Sequence, residues 1–252
     1  MKKLRNKLNK RSGRAHGTVV VRHQGGGEKQ FMRVIDFKRV NYDVWGIVEA
    51  IEYDPGRSAD IARVLYSDGT RAYILAPVGL TIGAKIVSSE EAPVEAGNSL
   101  SLKNIPVGMA IHNIEITHGK GGQIVKSAGS AATVFGKDDN WVLVKLPSGE
   151  IRRFNPESFA SIGQIGNVEA KERVWRKAGI MRHRGIRPSV RGVAMNPDSH
   201  PHGGGEGRSG IGMPHPKTVY GRSAVGKTRN KTKYSNNMIV QRKGGRALIV
   251  SK

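Results

Sequence analysis

Three short motifs in the last third of the chain have the residue types of nucleotide or metal chemistry. The first is the run GRSAVGKT at 221–228, which matches the P-loop pattern. A P-loop cradles phosphates with backbone N–H groups, and it does so only where an apolar strand precedes it and a helix follows it. A His-Pro-Lys run precedes this motif and a run rich in Lys and Arg follows it. We therefore predict no nucleotide hydrolysis here and expect Lys227 to be a basic contact.

The second motif, GEGRSG at 205–210, matches a dinucleotide-binding fingerprint but lacks the strand before it and the helix after it. The third is the His-Pro-His run at 200–202. Alternate histidines on an extended segment can face one metal ion, but a zinc site needs further ligands, and the candidates are Asp198 and His215. The surrounding Pro and Gly residues impose no shared geometry. Imidazoles that contact RNA are the favoured interpretation, with a metal site as the alternative.

Positive charge is concentrated at the two ends of the chain. Residues 1–39 contain twelve Lys and Arg against two acids, residues 167–252 contain nineteen against four, and residues 40–166 contain eleven against fourteen. The net charge of +22 is well above the charge of about 2–8 that suffices for solubility. Basic arms of this length repel themselves unless a polyanion neutralises them, so the pattern favours a nucleic-acid partner.

Composition narrows the class further. The chain has 33 glycines, and Gly and Pro in its last third predict an irregular segment that is ordered mainly by its partner. The absence of Cys excludes disulfides and thiolate metal sites and suits a reducing compartment. No apolar run approaches the roughly 18 residues of a membrane span, and the N-terminus lacks the apolar region of a secretory signal.

The middle of the chain is predicted to be all-β. Five short runs rich in β-branched and aromatic residues predict strands at 31–37, 44–53, 61–66, 71–76 and 85–88. Asp68-Gly69, between the third and the fourth of these runs, is a strong hairpin signal. This number and spacing of strands favour a small closed sheet such as an OB-fold.

A second series of strand signals follows residue 108 and predicts another small barrel. Its runs lie at 109–117, 124–126, 131–135, 141–146 and 150–154. Helical signals are weak, and only 155–161 and 167–177 are expected to form short helices.

Nine segments, in the same order along the chain, resemble large-subunit ribosomal protein two, a family found in all ribosomes. The most characteristic is MNPDSHPHGGGEGR at 195–208. The others are RHQGGGEKQ at 22–30, VIDFKR at 34–39, EYDPGRSA at 52–59, YILAP at 73–77, NIPVG at 104–108, GKGGQ at 119–123, SAG at 127–129 and RPSVRG at 187–192. The resemblance extends from about Arg22 to Arg229.

The resemblance implies an OB-fold followed by an SH3-like barrel, with long basic irregular extensions that bind large-subunit rRNA near the peptidyl-transferase centre. The expected boundaries are a basic extension at 1–29, an OB-fold at 30–102, an SH3-like barrel at 103–166 and a basic Gly-rich extension at 167–252. The family implies further roles in assembly of that centre, in tRNA binding and in subunit association through an intersubunit bridge, beside neighbouring ribosomal proteins. Its structural Mg²⁺ is carried by the rRNA, and no cofactor or protein-bound metal is expected.

Because the peptidyl-transferase centre is RNA, His200 is expected to be a supporting contact there, and the chain is not expected to be an enzyme. The leader before residue 22 is shorter than is usual in the bacterial form, and Glu28 stands where the family usually has a basic or neutral residue. Asp198-Ser199 likewise replaces the usual Val-Asp. The shorter leader points to a divergent bacterium or an organelle. We expect a cytoplasmic ribosome, with an organellar ribosome as the alternative.

The candidate rRNA contacts offer cationic groups for phosphate, imidazoles and other polar groups, or a backbone without Cβ that allows close approach to RNA. They are Arg22, His23, Gly25, Gly26, Gly27, Lys29, Lys38, Arg39, Arg57, Arg182, Arg184, Arg187, Arg191, His200, His202, Gly203, Gly204, Gly205, Glu206, Arg208, Lys227 and Arg229. Trp175 is expected either to stack on a base or to pack on the second barrel.

Two other functions stay open from the sequence. A non-ribosomal RNA-binding module or RNA chaperone would bind many RNAs weakly and would dissociate with salt. A metal enzyme that uses the His-Pro-His loop is the less favoured alternative. Retention on large subunits through a high-salt wash separates the first from a ribosomal component, and metal analysis of the purified protein tests the second.

Overall fold

The computed structural model describes residues 4–8, 12–226, 229–230 and 232–244. Contacts within the chain divide it into two compact units, each built from separate segments. We call residues 1–8, 29–174 and 237–252 the β unit, and residues 9–28 and 175–236 the basic unit. The basic unit therefore combines residues from both of the predicted extensions.

In the described residues the strands are, in chain order, β1 (Arg5–Leu8), β2 (Arg14–Ala15), β3 (Thr18–Val19), β4 (Gln30–Arg33), β5 (Gly46–Glu52), β6 (Ile61–Tyr66), β7 (Arg71–Leu75), β8 (Lys85–Ile86), β9 (Ser99–Ser101), β10 (Ala110–His112), β11 (Ala132–Lys137), β12 (Val142–Lys145), β13 (Ile151–Phe154), β14 (Phe159–Ile162) and β15 (Ile239–Gln241). The α-helix α1 spans Ala178–His183, and 3-10 turns lie at Val168–Lys171, Gly192–Ala194 and Tyr234–Asn236. Two short antiparallel pairs, β1 with β4 and β2 with β3, stand apart from the larger sheets.

A four-stranded antiparallel sheet, in the order β7-β6-β5-β8, builds the first core of the β unit. Apolar side chains on its inner face pack together, and each of Val48, Ala62, Val64, Ile74 and Ile86 is at most 1% exposed. Burial of such side chains drives the folding of the sheet.

The predicted hairpin between β6 and β7 is present. Gly69 has a φ of +81°, a conformation that glycine adopts without strain. The Asp68 carboxylate accepts the N–H of Thr70 at 2.9 Å, so a hydrogen bond between the residues on either side of Gly69 also holds the turn. The turn residues therefore set the register of the β6–β7 pairing.

A seven-stranded antiparallel sheet, in the order β15-β13-β12-β11-β10-β14-β9, builds the second core. Alternate residues of β11 and β12 point inward, so that Val134, Val142 and Val144 meet Ile111 and Ala160. Each of these five side chains is at most 1% exposed. The strand β9 lies before the predicted boundary at residue 102, yet it pairs with β14 in this second sheet.

The all-β fold class is confirmed, with an OB-fold and an SH3-like region in tandem, but two local predictions are wrong. The helix predicted at 155–161 is replaced by a turn and β14, whose Ala160 and Ser161 are buried between β10 and β9. Pairing inside a sheet outweighs a weak helical propensity. The helix predicted at 167–177 is a single 3-10 turn at Val168–Lys171, and α1 begins at Ala178.

Candidate nucleic-acid interface

A short antiparallel pairing in the basic unit brings residues of the two predicted extensions together. Gly25 donates its N–H to the carbonyl of Gly185 at 2.7 Å, and Glu28 donates its N–H to the carbonyl of His183 at 2.8 Å. These bonds hold the glycine-rich N-terminal segment alongside the end of α1. Residues that are more than 150 positions apart in sequence therefore form one surface.

The end of α1 sets up this pairing. Gly185 follows the helix with a φ of +86°, and the N–H of Ile186 donates to the carbonyl of Met181 at 2.9 Å. The Gly185 N–H donates to the carbonyl of Arg182 at 3.0 Å. The two bonds form a Schellman motif, in which the left-handed position favours glycine. The chain turns sharply there, which presents its backbone to the N-terminal segment.

The paired segments and residues of the β2–β3 hairpin line a cleft of about 450 Å³. Four arginines of the basic unit line it, namely Arg14, Arg22, Arg182 and Arg187. Planar guanidinium groups bind two oxygens of one phosphate at once. Three of the four are predicted contacts, whereas Arg14 is not, although it lies in the same acid-free stretch of sequence. The cleft has the charge and the donors that a phosphate-bearing partner needs.

The three glycines at 25–27 have different roles. A Cβ added to Gly27 would lie 2.8 Å from the backbone of both Gly185 and His183, and Gly27 has a φ of +63°. A Cβ added to Gly26 would have nothing within 4 Å. Gly27 is therefore required by the pairing itself, whereas Gly26 leaves an open approach to the backbone.

Glu28, which stands where the family usually has a basic or neutral residue, has a partner in the structure. Its carboxylate Oε1 lies 2.9 Å from Nδ1 of His183, and both side chains are well exposed. The acid thus joins the two paired segments through its side chain as well as its backbone. Its negative charge is directed at the imidazole in a cleft that four arginines line.

The His-Pro-His run forms a loop held by its own imidazoles. Nδ1 of His200 accepts the N–H of His202 at 3.0 Å, and Nε2 of His202 accepts the N–H of Lys217 at 2.9 Å. The ring centroids are 4.7 Å apart. One nitrogen of each ring is thus occupied by a backbone donor. In the described part of the chain, no group of three or more His, Cys, Asp and Glu side chains is placed to hold a metal ion.

Partial burial lowers the pKa of His200, and electrostatic interactions with the nearby His202 and Arg22 lower it further. The ring is therefore mainly neutral at pH 7. Because its Nδ1 accepts a hydrogen bond, the neutral ring carries its proton on Nε2. His200 can then donate to a phosphate or to a 2′-hydroxyl, which is the chemistry of a binding contact.

The glycines after His202 are required by the loop itself. A Cβ added to Gly203 would overlap the carbonyl of Asn196, and one added to Gly204 would lie 2.8 Å from the ring of Pro197. Gly204 and Gly205 also have left-handed φ values of +88° and +92°. The sequence interpretation assigns these glycines to close approach of RNA and misses this internal packing.

Two family models match most of the chain. Residues 1–88 match the model for Ribosomal Proteins L2, RNA binding N-terminal domain, and residues 95–221 match the model for Ribosomal Proteins L2, C-terminal domain. The chain belongs to the ribosomal protein L2 family. It is therefore a ribosome-bound, RNA-binding protein of the large subunit, and the resemblance drawn from its nine sequence segments is confirmed. Among the described residues, no helix is long and apolar enough to cross a membrane.

In this member of the L2 family, the described part of the P-loop match, residues 221–226, begins with a tight turn. The N–H of Thr218 donates to the carbonyl of Arg222 at 2.7 Å, which folds the first part of residues 221–226 back on the chain before it. A phosphate-binding loop needs that backbone to open toward a ligand instead. Lys227 lies outside the described residues, and Arg229 is exposed.

Arg39, one of the predicted rRNA contacts, has a structural partner within the L2 chain. It is only 5% exposed, and its guanidinium donates to the carbonyl of Gly97. The turn that holds it is organised by Asp36, whose carboxylate accepts the N–H groups of Lys38 at 3.1 Å and of Arg39 at 2.8 Å. This segment stabilises the β unit, and Lys38 is its exposed cation.

Arg57 also has a structural partner. Its Nε donates to Asp54 Oδ2 at 2.6 Å, and the Asp54 side chain is 1% exposed. The Phe37 ring lies 5.6 Å from the Arg57 guanidinium and 4.1 Å from Nζ of Lys126. Burial and the charge of Arg57 lower the pKa of Lys126. Lys126 is absent from the predicted contacts because an isolated lysine in a strand-like run gives no signal in the sequence.

The other predicted contacts lie on the surface. Exposed side chains are His23, Lys29, Arg184, Arg191, Glu206 and Arg208. The Arg184 guanidinium lies 4.2 Å from the centre of the Trp175 ring, so a cation already packs against the ring that is predicted to stack on a base.

Proposed function

We propose that this L2-family chain is a structural constituent of the large subunit that binds rRNA chiefly through the basic unit, and that it is not an enzyme. The supporting observation is the distribution of charge and core. The basic unit contains seventeen Lys and Arg against the three acids Glu28, Asp198 and Glu206. None of the apolar side chains found buried among the described residues lies in it. Such a unit gains stability when phosphates neutralise it.

The finer roles follow from this location of the charge. The basic unit carries the His200 loop and the arginine-lined cleft, so it supports assembly of the peptidyl-transferase centre and tRNA binding by ordering rRNA. We also propose that the chain contacts neighbouring ribosomal proteins and, through the intersubunit bridge, the small subunit. The Mg²⁺ ions of this region are carried by rRNA. The host ribosome is cytoplasmic, with an organellar ribosome as the alternative.

Salt dependence of rRNA binding tests the proposal. If six or more cations of the basic unit each neutralise one phosphate, the slope of log affinity against log salt should be about −4 or steeper, at about −0.7 per contact on single strands. The combined Arg14→Gln, Arg22→Gln and Arg187→Gln variant should reduce that slope by about 2. The control is Arg71→Gln, since Arg71 already pairs with Glu49 at 2.9 Å.

A shallow slope in the wild-type chain, or an equal loss in the Arg71→Gln control, would mean that the basic unit is a solvated surface. Sedimentation distinguishes the proposed function from the remaining alternative, an RNA chaperone. A structural constituent stays with large subunits through a high-salt wash, whereas an RNA chaperone dissociates from them.

A further inference from the structure

Two chemically different sets of groups line the cleft of the basic unit. The four arginines and the backbone of the glycine triplet form the first set, which we call the arginine and glycine wall, and Val19, Val21, Ile186 and Pro188 form the second, which we call the apolar wall. The apolar side chains are not covered, since Val19 is 53%, Val21 is 51% and Ile186 is 43% exposed. Exposed apolar side chains that converge on one basic cleft indicate a partner with an apolar face and a negative charge.

The backbone at the base of the cleft also lacks partners. The N–H groups of Gly26 and Gly27 donate no hydrogen bond to another described residue, whereas the N–H groups of Gly25 and Glu28 on either side of them are bonded to the end of α1. Unbonded amides near guanidinium groups form an anion site. The absence of a Cβ at Gly26, with nothing within 4 Å of that position, leaves room for an oxyanion to reach them.

A phosphate alone would use one wall of the cleft and leave the other in water. A nucleotide has both chemistries, since its phosphate is an anion and its base has an apolar face. Single-stranded RNA exposes such bases where they are unstacked, and proteins bind them there. The cleft volume of about 450 Å³ is within the range of about 300–1,000 Å³ for small-ligand sites.

We propose that the cleft takes one unstacked nucleotide of rRNA, with the phosphate on the arginine and glycine wall and the base on the apolar wall. The inference rests on the proposed function, because it names what the basic unit binds at one place on its surface. The nucleotide site also requires two segments that are distant in the sequence. Arg22 and Val21 lie before residues 29–174 of the β unit in the chain, and Arg187 and Ile186 lie after them, so the site is complete only when both segments are paired.

The experiment compares two RNAs and the full chain. The first RNA is an oligoadenylate of about ten nucleotides, within the length that single-strand sites cover. The second has the same backbone with its central bases removed. The wild-type chain should bind the first about fivefold more tightly, since one base that buries apolar surface contributes on the order of that factor.

Val21→Ser and Ile186→Ser each remove one apolar side chain from the lining of the cleft, one from each paired segment, without changing charge. Each should remove most of the preference for the RNA with bases and leave the affinity for the abasic RNA unchanged. Val225→Ser is the matched control, because Val225 is 65% exposed in the same unit and does not line the cleft. Arg22→Gln should weaken both RNAs and reduce the salt slope by about 0.7.

Equal affinity of the wild-type chain for the two RNAs would overturn the inference, since no base would then enter the cleft. A loss in Val225→Ser as large as in Val21→Ser would overturn it as well. Failure of the proposed function looks different, because neither RNA nor large-subunit rRNA would then bind with a steep salt slope. Base-independent binding with the expected slope would leave the proposed function standing and remove only the nucleotide site.

Discussion

Arginines of this chain differ in what their guanidinium groups contact. Arg63 donates to Glu49 at 2.9 Å and to Glu52 at 2.6 Å, and Arg71 pairs with the same Glu49. Hydrogen bonds from Arg71 and Arg63 hold the pKa of Glu49 below its ordinary value. These arginines hold one face of the β unit together. The arginines of the cleft line an open surface instead, and that difference depends on burial and partners rather than on residue type.

At the residue scale, Gly26 separates RNA contact from folding. Gly26→Ala should leave the melting temperature unchanged, because the new Cβ meets nothing within 4 Å, and it should weaken rRNA binding if RNA approaches there. Gly27→Ala should lower the melting temperature, since its Cβ would meet backbone atoms at 2.8 Å in a left-handed conformation. Thermal unfolding and rRNA binding of both variants check this. Unchanged rRNA affinity in Gly26→Ala would contradict the contact.

His200 is the second residue-scale prediction. His200→Ala removes one donor and leaves the charge of the loop unchanged, so particles should still assemble and lose only part of their activity. One hydrogen bond contributes about 0.5–1.5 kcal/mol net. The measurements are the yield of large subunits and the rate of peptide-bond formation. Fully assembled particles that bind tRNA normally and yet lose several orders of magnitude in rate would contradict a supporting role. Gly204→Val is not a clean comparison, because it would also strain the loop.

At the element scale, the long strands are predictable and the short elements are not. The runs at 61–66 and 71–76 combine β-branched and aromatic residues and have a strong turn signal between them, so local sequence specifies β6 and β7. Ile239–Gln241 is an edge strand whose place depends on pairing with β13, far away in sequence. Its Ile239 is 1% exposed, although it lies in the segment predicted to be irregular. Sheet pairing of this kind leaves no local pattern to read.

The buried imidazole on β10 should make stability depend on pH. Burial lowers the pKa of His112 from 6.5 to about 4, against the opposing effect of its hydrogen bond to the Gly163 carbonyl at 2.8 Å. The unfolded chain binds the proton more readily, so this stability is complete above pH 6.5 and is lost as the pH falls toward 4. The loss is roughly 3 kcal/mol across that window.

Urea unfolding of the full chain at several pH values measures this effect. His112→Gln should flatten the dependence between about pH 6.5 and 5.5, above the range where most carboxylates titrate. His118→Gln is the control, because His118 is exposed on the same sheet region. An unchanged slope in His112→Gln would contradict the assignment.

At the scale of the whole molecule, charge and apolar core are separated between the two units. The four apolar clusters consist of residues of the β unit, and the basic unit, with seventeen Lys and Arg against three acids, contributes +14 of the net charge of +22. The distribution of charge in the sequence is enough to predict that the basic ends bind a nucleic acid. It does not predict that the two segments pair, because that pairing depends on backbone hydrogen bonds and one glycine turn. Contacts of this kind between distant segments have no periodicity or motif.

The basic unit should therefore be the part of the free protein that proteases cleave. Its net charge disfavours a compact state, and no buried apolar cluster among its described residues offsets that repulsion. Limited proteolysis of the full chain at low salt should remove residues 175–236 while the core of the β unit persists.

Large-subunit rRNA should protect the basic unit, because neutralised phosphates and guanidinium groups then hold the two segments together. An RNA duplex of equal charge without unstacked bases is the control, and it should protect less if a nucleotide fills the cleft. Resistance of residues 175–236 without any RNA would contradict the prediction, since hydrogen bonds and turns alone would then suffice to hold the unit.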